Sequence, residues 1–300
     1  MTKMGRVAQQ IKRYGLIRTT LCVVNSLIPY KHRGPFHDML MLVFRLLTIK
    51  QFKTRVNQTE LFLMPKNNWV LYKYFILARY DEREIALVQK CIPQHYSFVD
   101  VGANFGAWTF SLAGHFARTI AFEPDPECFD CLEKTKKLHS DKNGVSLFNA
   151  ALADENKEGI LFPSKSNKGD GRIYDPLDGD RLDGIKIRVR SFDSIVQEKN
   201  LNMEYVFLKL DAQGAEPWVL KGMQNSLSKA KDVILWMEVQ SECLESAGEN
   251  MNGLFSLLKD LGFKPADFEN NFETFGWNEK VLDLKKNDFC FRLQRGVREN

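Results

Sequence analysis

FVDVGANFG, Phe98 to Gly106, carries an apolar run with Asp100 inside it and then three turn-favouring residues, Gly102, Asn104 and Gly106. The residues that follow, AWTFSLAGHF, have the spacing of an amphipathic helix. A strand, a tight turn and a helix are therefore expected. Glycine suits such a turn because it accepts positive φ and lets the backbone approach a ligand closely.

The spacing D-x-G-x-x-x-G differs from the dinucleotide fingerprint, which sets three glycines to receive a pyrophosphate at a helix N-terminus. Asn104 stands where a middle glycine would, and the next glycine is Gly114. About 20 residues beyond the turn, IAFEPDP (Ile120 to Pro126) is a second apolar run that ends in Glu123. A doubly wound sheet places a carboxylate there against ribose hydroxyls. The two signals together point to an adenosine cofactor without a pyrophosphate. A nicotinamide oxidoreductase is the competing enzyme reading, and it lacks both the glycine set and a Tyr-Lys or His acid-base group.

From Phe98 onwards, strand and helix patterns alternate in the α/β manner. The strand candidates are FVDVG, TIAFEP, VSLFNAAL, IKIRVRSF, YVFLKLDA and DVILWMEV, with FKPADFE and DFCFRLQ near the end. Ahead of them, Phe52 to Pro65 reads as a hairpin, and a helix runs through Asp81 to about Cys91, where Pro93 stops it. Between Pro163 and Gly184 the pattern fails. That stretch is rich in Gly, Asp, Ser and Lys and reads as a mobile excursion, either a lid or a solvated loop.

Acids close the later strands. In FLKLDAQGAEPWVLKG, Asp211 emerges at the carboxyl end of a buried run, where open α/β sheets bind ligands. Glu216-Pro217 suits a first helical turn, so Glu216 is either a helix-start carboxylate or a catalytic group. Glu238 ends VILWMEV, and desolvation there would raise its pKa and make it a useful proton acceptor. If Asp211 and Glu238 converge, they share a hydroxyl substrate or a divalent cation. Lys209 is expected on the face opposite Asp211, as an ion-pair partner or a snorkelling side chain.

The 300 residues carry a formal charge of +4, but eleven Lys and Arg lie within the first 55 residues against one acid, Asp38. The rest of the chain is net acidic. Residues 1–50 read as a basic helical extension whose apolar runs, broken by Arg18, Asn25 and Arg45, are too short to span a bilayer. The extension packs on the main domain or a second subunit, or it lies on an anionic membrane surface. It lacks the interleaved aromatic platforms of single-strand nucleic-acid binders. Six scattered cysteines without a secretory signal suggest a reducing cytoplasm, and Cys128-x-x-Cys131 has no second pair to make a zinc site.

Taken in order, VDVGANFG, AFEPDP, FNAALAD, VRSFDSI, LKLDAQGAE and WMEV resemble the motifs of the FkbM-type S-adenosylmethionine-dependent methyltransferases, from about Tyr80 to Arg292. The resemblance implies a class I methyltransferase fold: a Rossmann-like, seven-stranded, mostly parallel sheet with the last strand inserted antiparallel and helices on both faces. The implied organisation is a leader over 1–50, a hairpin and helix over 51–97, and an S-adenosylmethionine-binding domain over 98–300. Asp100, Gly102, Asn104 and Gly106 would hold the methionine end of the cofactor. Glu123 would bind ribose, and Asn149 and Ala150, with Asp154 nearby, would border adenine.

The implied reaction is O-methylation of a hydroxyl on a sugar, glycan, glycolipid or natural product. Asp211 is the first candidate for base, with Glu238 or Glu216 orienting the alcohol or a metal ion. The family usually has an acid where Gln213 stands. That departure keeps open a non-catalytic module that binds a partner or an anionic surface.

Overall fold

The structure, a computed structural model, describes residues 50–64, 79–139, 144–176, 178–277 and 288–295, with single positions at 38, 39, 42, 70, 74 and 77. The expected basic helical extension lies almost wholly outside the described residues.

The chain opens with a hairpin of β1 (Phe52–Val56) and β2 (Thr59–Leu63). Asn57 and Gln58 both take positive φ, 47° and 69°, as a two-residue turn matched to strand twist requires. Helix α1 (Glu82–Cys91) leads into β3 (Ser97–Val101), α2 (Ala107–Leu112), β4 (Arg118–Phe122), α3 (Pro126–Leu138) and β5 (Val145–Phe148). Then come β6 (Ala151–Leu152), β7 (Lys157–Pro163), β8 (Gly171–Arg172) and β9 (Ile185–Arg190). Helix α4 (Phe192–Lys199) returns the chain to β10 (Tyr205–Leu210), followed by α5 (Glu216–Lys221), α6 (Gln224–Lys229) and β11 (Asp232–Glu238). The last elements are α7 (Ser241–Ser246), α8 (Met251–Asp260), β12 (Lys264–Asp267), β13 (Glu273–Thr274) and β14 (Asp288–Gln294).

The main sheet runs β5-β4-β3-β10-β11-β14-β12-β13. β5, β4, β3, β10 and β11 are mutually parallel, and β14 lies antiparallel between β11 and β12. This is the expected class I order, with the two-residue β13 added at one edge. The central strands are apolar along their whole length because both faces are covered. On one face Val99, Leu208 and Leu235 pack against Phe192 of α4, Leu220 of α5 and Leu258 of α8. On the other, Phe98, Phe207 and Trp236 pack against Ile85 of α1 and Trp108 and Leu112 of α2. Each such side chain contributes roughly 1.5–3 kcal/mol through burial.

VSLFNAAL is not one strand. It breaks at Asn149, whose amide donates to the carbonyls of Glu123 and Pro124. The chain thereby leaves β5 in the main sheet and enters β6 in a second sheet of order β6-β9-β7-β8. IKIRVR, β9, belongs to that second sheet as well. The stretch expected to be a mobile excursion contains β8 and is held across the sheet edge by side-chain bonds described below.

Candidate functional site

A cavity of about 440 Å³ lies at the carboxyl edge of the parallel strands and extends to the end of the antiparallel β14. Gly102, Asn104, Glu123 and Ala150 border it on the side of β3 and β4, and Asp211, Glu238 and Asp288 on the side of β10, β11 and β14. Asp81 and Glu84, from the start of α1, complete the second side.

The β3–α2 turn is shaped by its neighbours. Gly102 has φ 78°, and a Cβ there would lie 2.1 Å from the carbonyl oxygen of Asp211. Only glycine lets the ends of β3 and β10 come so close. Asn104, at φ 51°, donates its backbone N–H to Glu123 Oε2 at 2.7 Å. The other oxygen of Glu123 accepts from the backbone N–H of Asp125 at 2.8 Å. Burial first, and then the charge of Asp125, push the Glu123 carboxyl up to about 8.

Asp100 is fully buried. Its Oδ2 accepts from Thr109 at 2.6 Å, while Oδ1 has no hydrogen-bond partner among the described residues and lies 3.9 Å from Lys209 Nζ. Asn104 Oδ1 is likewise buried and has no hydrogen-bond partner among the described residues. The charge of Lys209 answers Asp100 Oδ1, whereas Asn104 Oδ1 is an acceptor at the wall of a cavity that a ligand donor would satisfy.

At the other end, Asp211 Oδ1 accepts from Gln213 Nε2 at 2.7 Å, and Oδ2 lies 3.4 Å from Lys209 Nζ. Among the described residues, Glu238 accepts a single 3.3 Å bond, from Gln240 Nε2. Burial, and then the negative charge of Asp211, raise its carboxyl to about 7. Burial and the charges of Asp81, Glu84 and Asp211 take Asp288 to about 6. Lys209, 4% exposed, is the ammonium set among these acids, and Asp211 and Asp100 keep it protonated against the cost of burial.

Of the residues expected at the site, Asp100, Gly102, Asn104, Glu123, Ala150, Asp211 and Glu238 border one cavity. Four do not. Gly106, at φ 82°, makes the turn into α2, where a Cβ would meet Phe110 and Leu132 within 2.7 Å. Asn149 braces the β5–β6 break. Asp154 is exposed beyond β6. Glu216 turns away from the cavity and accepts from the backbone N–H groups of Ala212 and Gly214, so its role is to hold the turn before α5. Burial lifts it to about 7 despite these donors.

Lys209 corrects a further expectation. Strand side chains alternate with a period of two, so residues 209 and 211 share a face, and Lys209 Nζ lies 3.4 Å from Asp211 Oδ2 as its ion-pair partner. Sequence reasoning also missed Lys168, Trp108 and Trp236, all at the cavity wall. Lys168 sits in a segment whose composition reads as solvated, and the tryptophans read as core. Among the described residues no group of three or more His, Cys, Asp or Glu is placed to hold a metal ion. No helix among them is long and apolar enough to cross a membrane. Cys128 and Cys131 are buried free thiols on α3.

The Methyltransferase FkbM domain model matches residues 100–265 of the chain. Methyltransferase sdnD of Sordaria araneosa is 24% identical over 205 residues, covering 57% of this chain and 75% of that protein. Among solved structures, an rRNA methylase from Streptococcus thermophilus is similar with a TM-score of 0.38 at 8% identity, over 71% of this chain and 94% of the other. A tRNA (uracil-54, C5)-methyltransferase of Pyrococcus abyssi, in complex with S-adenosyl-L-homocysteine, gives 0.38 at 8% identity, over 81% and 43%.

Proposed function

The chain belongs to the FkbM family of methyltransferases, and on that premise we propose that it methylates the oxygen of a hydroxyl on a sugar, glycan, glycolipid or natural product, with S-adenosylmethionine as donor. One observation carries this reading: Gly102, Asn104 and Glu123 share a cavity with Asp211 and Glu238.

The residues present fit the cofactor. The Asn104 side-chain oxygen suits an ammonium or hydroxyl donor, Gly102 lets the ends of β3 and β10 close side by side at the cavity edge, and the Glu123 carboxyl suits a ribose diol. When bound, S-adenosylmethionine supplies an electrophilic methyl group on a sulfonium that is its own leaving group.

The protein's own tasks are alignment and proton removal. Alignment of an oxygen with a methyl carbon supplies much of the acceleration in such reactions. Glu238 is the better proton acceptor of the two strand-end acids. Its carboxyl is raised to about 7 and one weak donor engages it among the described residues, and a base works best with a pKa near the operating pH. Both oxygens of Asp211 are already engaged, by Gln213 and Lys209, so Asp211 orients the alcohol. This reverses the order of roles expected from sequence. Gln213 fits that division of labour, since an amide donates to Asp211 where a carboxylate would repel it.

Calorimetry with S-adenosylmethionine, S-adenosylhomocysteine and NADH tests the cofactor. Binding of the first two and not the third is expected. Transfer of labelled methyl to a panel of hydroxyl acceptors, with an ether as product, tests the reaction. Binding of NADH alone would overturn the reading.

A further inference from the structure

The β7–β9 excursion crosses the cavity and is fastened on both sides of it. Beside Glu123, Lys168 extends a buried ammonium to Asp125 Oδ2 at 2.6 Å and Glu127 Oε2 at 3.1 Å. Asp125 is itself buried, and its other oxygen caps the N-terminus of α3. Beside Asp211, the single Tyr174 hydroxyl proton is shared between the carbonyls of Gln213 at 2.7 Å and Cys243 at 2.9 Å. Within the excursion Arg172 and Arg181 both grip Asp170, at 2.8 and 3.0 Å, and Ser164 bonds Asp180 at 2.5 Å. Asn167, Lys168, Gly169, Gly171 and Ile173 face the cavity.

A solvated loop has no reason to bury an ammonium, since doing so costs more than surface pairing returns unless the partner is well placed. Here the buried pair joins the excursion to the turn that carries the ribose-side acid. The far anchor rests on the backbone of Gln213, whose amide holds Asp211.

We infer that the β7–β9 excursion is a strap that closes over the nucleoside of the cofactor, with Lys168 as its latch and Tyr174 linking closure to the position of Asp211. The inference rests on the cofactor reading of the cavity. Lys168 is then a cofactor-retaining residue, and release of S-adenosylhomocysteine requires the buried Lys168–Asp125 pair to part.

The test uses the full chain and S-adenosylhomocysteine as the probe, with association and dissociation followed by stopped-flow tryptophan fluorescence. Lys168→Met should release the probe roughly tenfold faster with association changed by less than about threefold, because such contacts act mainly on dissociation. Tyr174→Phe should move release in the same direction. In the unaltered protein the probe should slow hydrogen exchange across 164–174, a measurement that does not depend on any variant folding. If the probe binds but release is unchanged in both variants and exchange is unaffected, the strap is overturned and the methyltransferase reading stands. If the unaltered protein does not bind the probe, both fall.

Discussion

Glu238 and Asp211 end adjoining strands and face one cavity, yet their surroundings separate their roles. Glu238→Gln should lower turnover ~10²-fold or more while leaving S-adenosylhomocysteine affinity nearly intact, as loss of a general base does. Steady-state kinetics beside calorimetry decides this; equal losses in both would make Glu238 structural. Because the base works unprotonated, turnover should rise with pH through about 7, the level to which burial and Asp211 raise Glu238. The Glu238→Gln profile should lack that limb. Glu123→Gln should weaken cofactor binding roughly tenfold or more, since a charged acceptor of hydroxyl bonds is lost. With Glu123 held near 8, cofactor affinity in the unaltered protein should fall as the pH drops below that value. Sequence makes these acids legible because each closes an apolar run, and strand ends are where such sheets bind ligands. Lys209 is legible as an ion-pair partner, but its expected face is the wrong one: residues two apart on a strand lie on the same side, which puts its ammonium beside Asp211. Glu216 marks the other boundary: its proline neighbour announces a helix start, and the structure gives its carboxylate to that turn.

The β3–α2 unit is readable because glycines, apolar runs and helix spacing agree there. The β5–β6 region is misread because an unbroken strand pattern hides a change of sheet at Asn149. Such a break depends on a side-chain bond to a distant backbone, which no local pattern records. The strap is hidden for a similar reason: its Gly, Asp and Lys content matches a solvated loop, and only pairing with Asp125, Gln213 and Cys243 fixes it. The two sheets meet where the end of α5 crosses the residues after β6. A Cβ on Gly222 would stand 2.0 Å from the carbonyl oxygen of Ala153. Gly222→Ala should therefore cost about 2–3 kcal/mol or more through overpacking against backbone, measured by urea denaturation. A loss below about 0.5 kcal/mol would mean that the junction gives way freely.

Across the whole molecule, Glu123, Glu216, Glu238 and Asp288 are held at about 8, 7, 7 and 6, above ordinary carboxylates. The folded chain thus binds more protons than the unfolded chain between about pH 5 and 8, so stability is lost as pH rises through that window. Cofactor-free protein should melt at a higher temperature near pH 6 than near pH 8.5, by calorimetry; a level or inverted trend would show that these acids titrate as free groups do. The overall order of strands is legible from six motifs in sequence, whereas the disposition of residues 1–50 lies outside what is described. One feature of that order bears on biosynthesis. β14 fills the gap between β11 and β12, yet it leaves the ribosome about fifty residues after β11 is complete. Throughout that interval the nascent chain presents an apolar strand with one edge unclaimed, and another polypeptide can zip onto it. Rapid translation at high message levels should therefore send this protein into inclusion bodies, and slower, cooler synthesis with a holding chaperone should recover it.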